Sequence, residues 1–275
     1  MRKHTLPVAF GLAVGATLVA PALSGAAPDN DNWCPPGAVF AVGGTWDPTG
    51  QTTQPVTSRY AAQGYTVNPV TYPASFWPLG DQTYDASVAA GVQSLRGDVE
   101  AFHTSCPSSR IVVTGYSQGA RIAGDVLDSL AHDEFVPSSQ VTGILYSDPR
   151  NSSGGIETVV PNLIPGATMT GPRDGFGDIP VHEVCIEGDG ICNMPNPLDA
   201  PSVFVDSVFG YFTKHNTYQP VMTESTPPPP LSVVIDSPAS RLPLPDVATA
   251  VIDRVVENLT PYVRAAVSAG LGRGN

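Results

Sequence analysis

The sequence predicts an α/β domain built on a central, mainly parallel five-stranded sheet flanked by helices, and three observations carry that prediction. Short apolar runs rich in β-branched residues alternate with longer segments whose apolar positions recur at helical spacing. The chain has 275 residues, enough for one large domain with a substantial apolar core. One glycine-flanked serine also falls between such a run and such a segment, the place where an α/β sheet exposes a side chain at its carboxyl edge.

Taken in chain order, residues 1–27 read as an export signal: Arg2 and Lys3, an apolar run from Leu6 to Leu23, then small residues ending near Ala27. Pro7 and Pro21 interrupt that run, which argues against a membrane span. The main α/β domain is expected over 28–224. Its candidate strands are "AVFAVGG" (38–44), "YTVNPV" (65–70), "RIVVTG" (110–115), "VTGILYS" (141–147) and "IPVHEVC" (179–185). Crossover helices are expected over 85–103 and 118–133, where Ile122, Val126, Leu127 and Leu130 fall on one face. Residues 151–180 are rich in Gly and Pro and read as a long loop region. "STPPPP" opens a proline-rich linker over 225–245. Beyond it Val247, Val251, Val255, Leu259, Val263 and Val267 recur every four residues, which predicts an amphipathic helix over 246–275.

Charge and cysteines limit the function. The formal charge of −12 becomes −14 once Arg2 and Lys3 leave with the signal, a surface that repels nucleic acid and anionic membranes. Four cysteines in an exported chain point to two disulfides, with three pairings open. A local bond between Cys185 and Cys192 would leave Cys34 to join Cys106.

The chemistry starts from G-x-S-x-G at Gly115–Gly119. In a nucleophile elbow the serine occupies a strained strand-to-helix turn, and glycines stand where a Cβ would collide with neighbouring elements. Ser117 is therefore the candidate nucleophile, with the N-terminus of the following helix favouring negative charge beside it. A serine needs a base, and there are five histidines. His4 leaves with the signal, His103 and His132 fall near helix ends, and His182 precedes the candidate acid. His215 fits the order serine, acid, histidine. For the acid, Asp148, Asp178, Asp199 and Asp206 all remain open. Asp189 stands out because a Cys185–Cys192 staple would hold its loop just after a strand, with Glu187 as its near competitor.

These residues also carry a resemblance. Cys34, "GGTWDPTG", "TYPAS", "SCPSSRIVVTGYSQGA", "SDPR" and "CIEGDGIC" resemble, in order, the landmarks of the cutinase family of secreted serine esterases. "YDASVAAGVQSL", "NSSGGI" and "DGICNMPNPLDAPSVFVDSVFGYFTKHNTY" are similar to the PE-PPE-type α/β-hydrolase domain of mycobacteria and related actinobacteria. The resemblance runs from about Cys34 to Tyr218, leaving the linker and C-terminal helix outside it. It implies a cutinase-like α/β-hydrolase fold with Ser117 as nucleophile, Asp189 as acid and His215 as base. It also implies the pairs Cys34–Cys106 and Cys185–Cys192, and oxyanion donors at Thr45 and at the Gln118 backbone N–H.

The function so implied is a secreted serine esterase, extracellular or in the cell envelope, hydrolysing short- to medium-chain esters of small molecules or lipids. It is expected to act as a monomer without a cofactor or metal, in peripheral contact with lipid or envelope. An acyltransferase on envelope lipids and a non-catalytic envelope-binding domain are the alternatives. A metal loop around Cys185 and Cys192 is disfavoured, because their spacing suits neither a zinc site nor an EF-hand.

Overall fold

A computed structural model describes residues 34–162, 164–196, 199, 206–207, 210–223 and 232–235. By its contacts the chain divides into two units, Met1–Trp33 and Cys34–Asn275, and every described residue belongs to the second. The expected signal segment, the "STPPPP" stretch and the expected C-terminal helix lie outside the described residues.

The strands are β1 (Gly37–Val42), β2 (Thr66–Pro69), β3 (Arg110–Tyr116), β4 (Val141–Tyr146), β5 (Val181–Ile186) and β6 (Ser232–Ile235). They form one sheet in the order β2-β1-β3-β4-β5-β6, and every pair is parallel. The first five are the strands expected from the apolar runs. The sixth falls inside the segment read as a linker and pairs with β5 at the edge of the sheet. The helices are α1 (Gln54–Ala61), α2 (Tyr84–Ser105), α3 (Gln118–Asp133), α4 (Ile156–Val159) and α5 (Gln219–Thr223). Periodicity overlooked α1, and the reason is visible in its burial: only Val56 and Thr57 of its eight residues are buried.

Parallel strands need crossovers, and the crossovers cover both faces of the sheet, so each inner strand is buried on two sides. Its residues therefore divide with period two between two cores. On β3, Ile111 and Val113 join α2 and α3, while Val112 and Tyr116 face the layer of α1 and α5. Ile122, Ala123, Val126, Leu127 and Leu130 of α3 are fully buried against the first face, which explains why this helix is placed so definitely. The Thr83 hydroxyl caps α2 by accepting from the Ala86 N–H.

The strand order reverses direction between β1 and β3. The chain leaves β1 towards β2 on one side and leaves β3 towards β4 on the other, the switch point at which open parallel sheets place their binding residues. Val42 and Gly115 are paired there. The loops carrying Thr45 and Ser117 both start from that point.

Two disulfides staple the domain. Cys34–Cys106 closes 72 residues of chain and ties the start of the described domain to the end of α2. A loop of that length corresponds to about 4 kcal/mol in the chain-entropy account of cross-linking. Cys185–Cys192, seven positions apart, ties the last turn of the following loop back to β5, in which Cys185 lies.

The Gly- and Pro-rich region 151–180 is fastened to the domain by a buried ionic network. Arg121 of α3 points its Nε–H between the two oxygens of Glu157 of α4, at 3.0 and 2.9 Å, and the Tyr84 hydroxyl donates to the same carboxylate at 2.6 Å. Arg173 binds Asp125 at 3.0 Å and grips both oxygens of Asp148, at 2.5 and 3.1 Å. Arg150 reaches Asp125 at 2.8 Å and the Gly171 carbonyl at 2.6 Å. Paired in this way, the charges lock the region's path across the end of α3.

Glu183 of β5 joins this network on its acidic side. Burial, followed by the nearby Asp148 carboxylate, pushes its carboxyl up from 4.5 to about 8, while Arg173 opposes the shift. Between those two values the folded chain holds a proton that the unfolded chain has released, so this group's contribution to stability falls as the pH rises through that window. Urea unfolding should therefore show a stability that declines more steeply from about pH 5 to 8 in the parent than in Glu183→Gln.

Candidate active site

Ser117 stands between β3 and α3 with φ 56° and ψ −122°, a left-handed conformation that side chains rarely adopt. Its neighbours leave no alternative to glycine. A Cβ on Gly119 would collide with the carbonyls of Val42 and Gly43, and one on Gly115 would strike the Gly119 carbonyl. The turn is held from behind by a hydrogen bond from the Ser117 N–H to the Tyr146 carbonyl at 2.9 Å. With its backbone fixed, the side chain stands at the carboxyl ends of β1 and β3.

His215 meets Ser117 from a one-turn 3₁₀ helix, His215–Thr217, with Nε2 at 2.9 Å from Ser117 Oγ. The ring is buried, and two aromatic rings pack on it. Tyr116 and Tyr211 each stack on it, with centroids 5.0 Å away and planes tilted by 25° and 24°. The Tyr116 hydroxyl also donates to the His215 carbonyl, so the residue before the serine secures the backbone of the histidine.

Behind the ring, Nδ1 lies 3.1 and 3.0 Å from the two oxygens of Asp189. Asp189 is fully buried, and a buried carboxylate is costly unless it is surrounded by donors. Those donors are present. Ser147 Oγ donates at 2.5 Å, the Tyr218 hydroxyl at 2.7 Å and the Ile191 N–H at 3.0 Å. Burial by itself would raise the Asp189 carboxyl, but the charge and hydrogen bond of His215, the Ser147 hydroxyl and the Ile191 N–H hold it below the usual range. Burial and the Asp189 charge have the opposite effect on Tyr218, raising its phenol so that it stays protonated and able to donate. Asp189 begins the last turn of the Cys185–Cys192 loop, and its carbonyl accepts from the Asn193 N–H at 2.9 Å.

At the other side of the serine, the loop after β1 is pinned. The Tyr72 hydroxyl donates to the Gly43 carbonyl at 2.6 Å, and the Trp46 N–H donates to the Ala74 carbonyl at 2.7 Å. A Cβ on Gly44 would come within 3.3 Å of Ser117 Cβ, so Thr45 follows a residue that lies close beside Ser117. Gln118 is buried and tied by its side chain. Its Nε2 donates to the Ser75 carbonyl at 3.0 Å, and its Oε1 accepts from Ser87 Oγ at 3.0 Å. Its backbone N–H stays at the open end of α3, among the helix's unpaired donors.

The structure brings Ser117, Asp189 and His215 together and leaves the other candidates apart. Asp148 is engaged by Arg173. Glu187, Asp178, Asp199 and Asp206 are exposed. His103 lies edge-on to Phe135, His132 is bonded within α3 to Asp128, and His182 is buried on β5. Among the described residues no three His, Cys, Asp or Glu side chains group as metal ligands, and the cysteines of the candidate metal loop are joined to each other.

Sequence reasoning overlooked four residues of this cluster: Tyr116, Ser147, Tyr211 and Tyr218. Tyr218 follows the histidine by three positions and Ser147 opens the "SDPR" stretch, but nothing in either spacing announces a hydrogen bond to an aspartate some 30 to 40 residues away.

The PE-PPE domain family model matches residues 63–266. That match continues past Tyr218, where the resemblance in the sequence ends, through the proline-rich segment and most of 246–275. The chain is 31% identical over 227 residues to a protein of Corynebacterium glutamicum named carboxylesterase Culp6 homolog, covering 66% of this chain and 74% of that protein. It is 27% identical over 146 residues to the probable carboxylesterase Culp7 of Mycobacterium tuberculosis, covering 50% of this chain and 75% of that one. It is also 30% identical over 154 residues to cutinase 11 of Verticillium dahliae, covering 50% of this chain and 49% of that protein. With a match over well more than half of its length, the chain belongs to the PE-PPE domain family.

Proposed function

We propose that this protein is a secreted serine esterase that hydrolyses short- to medium-chain carboxylic esters through Ser117, His215 and Asp189. The observation that carries the reading is the unbroken line from Ser117 Oγ through the two ring nitrogens of His215 to the buried Asp189 carboxylate, at 2.9 and 3.0 Å. Relatives named carboxylesterase, cutinase and acetylxylan esterase support the reaction class.

Each step follows from a named group. Ser117 Oγ attacks the ester carbonyl while His215 Nε2 takes its proton, and Asp189 stabilises the imidazolium that forms. The tetrahedral oxyanion is bound by the Gln118 N–H, at the positive end of α3, and by Thr45. His215 then gives the proton to the departing alkoxide, leaving an acyl-enzyme. Water, deprotonated by the same nitrogen, attacks the acyl carbon and releases the acid and Ser117.

Export is supported by the two disulfides, which persist in oxidising compartments, and by the character of residues 1–27 as a removable signal. No described helix is long and apolar enough to cross a membrane. The preference for short to medium acyl chains rests on the resemblance to cutinases.

Three measurements test the proposal. A fluorophosphonate probe should label the parent at Ser117, and Ser117→Ala should escape labelling and lose about 10⁴-fold or more of its hydrolysis. Asp189→Asn should lower kcat by about 10³–10⁴-fold, because the amide no longer favours the productive tautomer, while the exposed Glu187→Gln stays within about twofold of the parent. In a series of p-nitrophenyl esters, kcat/KM should be higher for acetate to octanoate than for palmitate. A steady rise with chain length up to palmitate would make the enzyme a long-chain lipase instead.

A further inference from the structure

Ser147 follows β4 immediately and is fully buried, and its φ of 53° lies in the left-handed region. Its backbone is anchored there by a hydrogen bond from its N–H to the Val184 carbonyl of β5 at 2.9 Å. Glycine occupies this conformation freely, whereas an L side chain pays a steric penalty there. A serine in such a place calls for a role that its hydroxyl performs and a glycine could not.

The hydroxyl touches two members of the proposed triad at once. Ser147 Oγ lies 2.5 Å from Asp189 Oδ2 and 2.9 Å from His215 Nδ1. It has one proton, and the carboxylate can only accept, so the shorter contact takes that proton. A lone pair of Oγ then faces the Nδ1–H of His215. That N–H has three acceptors around it: Ser147 Oγ at 2.9 Å and the Asp189 oxygens at 3.0 and 3.1 Å. Tyr218 donates to the same Asp189 oxygen as Ser147 but approaches the ring edge-on, with centroids 6.3 Å apart, and has no bond to Nδ1.

We propose that Ser147 is a positioning residue of the esterase. It donates to Asp189 and accepts from His215, and so holds the carboxylate and the ring in the orientation that turns Nε2 towards Ser117. When the ring becomes an imidazolium in the transition state, the Oγ lone pair shares with Asp189 the hydrogen bond from Nδ1–H. The benefit is largest when the ring is charged, so losing it should fall on the chemical step more than on substrate binding. This inference rests on the triad reading above.

The test uses the full chain as the parent, Ser147→Gly, Ser147→Ala and Ser117→Ala, with p-nitrophenyl butyrate as substrate. Ser147→Gly removes the hydroxyl together with the backbone penalty, and Ser147→Ala removes the hydroxyl alone. Both are expected to lower kcat by about 10- to 100-fold, the range for a hydrogen bond to a charged group, with KM within about twofold. Ser147→Gly should keep its Tm within about 4 °C of the parent, since the relieved strain offsets the lost contacts. The downfield proton resonance of the His215 Nδ1–H should shift in both variants. If Ser147→Gly keeps the parental kcat while Ser117→Ala is inactive, the positioning role is overturned and the triad stands. A loss of kcat accompanied by a fall in Tm of more than about 10 °C would make Ser147 a structural residue and also overturn the role. Hydrolysis by Ser117→Ala at the parental rate would overturn the triad reading, and this inference with it.

Discussion

The turn at Ser117 is the constraint on which the rest of the site depends. A left-handed, non-glycine backbone costs of order 1–3 kcal/mol and persists only where the surroundings over-determine it. Here α3 starts so close to the end of β1 that Gly119 lies against the carbonyls of Val42 and Gly43. The fully buried face of α3 holds that approach, since Ile122, Val126, Leu127 and Leu130 cannot leave the sheet without exposing the core. Packing energy from the whole sheet-helix layer is thus spent on aiming one hydroxyl.

A second requirement is a charge in the dry interior. Asp189 is fully buried, and what makes its ionised form tolerable is the set of donors converging on it from four separate parts of the chain: Ser147 after β4, Ile191 within the disulfide loop, His215, and Tyr218 before α5. The Cys185–Cys192 bond limits how far that loop can move from β5. The same logic operates on a larger scale behind α3. Arg121, Arg150 and Arg173 are matched with Asp125, Asp148 and Glu157, and the pairs anchor the long region after β4 to α3, the helix that follows Ser117.

The legible parts of the chain share a physical trait. β1, β3, β4 and β5 bury nearly every residue, so their apolar runs are almost unbroken, and α3 has a wide apolar face. α1 buries two residues of eight and was invisible for that reason. The region 151–180 resembled a wandering loop because its order comes from ion pairs with partners up to 48 positions away, which composition does not record. Of the site, the motif-bearing serine was plain. The aspartate and histidine were selected by chain order and by a suspected disulfide, with Glu187 and Asp148 still in contention.

The sequence by itself determined the α/β class, the place of the glycine-flanked serine between strand and helix, the likeness to secreted esterases and the short list of acids and bases. Those properties are written in local residue order, as hydrophobic period, glycine spacing and cysteine count. Only the tertiary structure decided which acid faces which histidine, that Tyr116 and Tyr211 stack on the ring, and that Ser147 and Tyr218 attend the buried carboxylate. The reason is that hydrogen-bond reach is about 3 Å in space and sets no separation along the chain. Residues 117, 147, 189 and 215 become neighbours through the sheet order and the crossovers that close it.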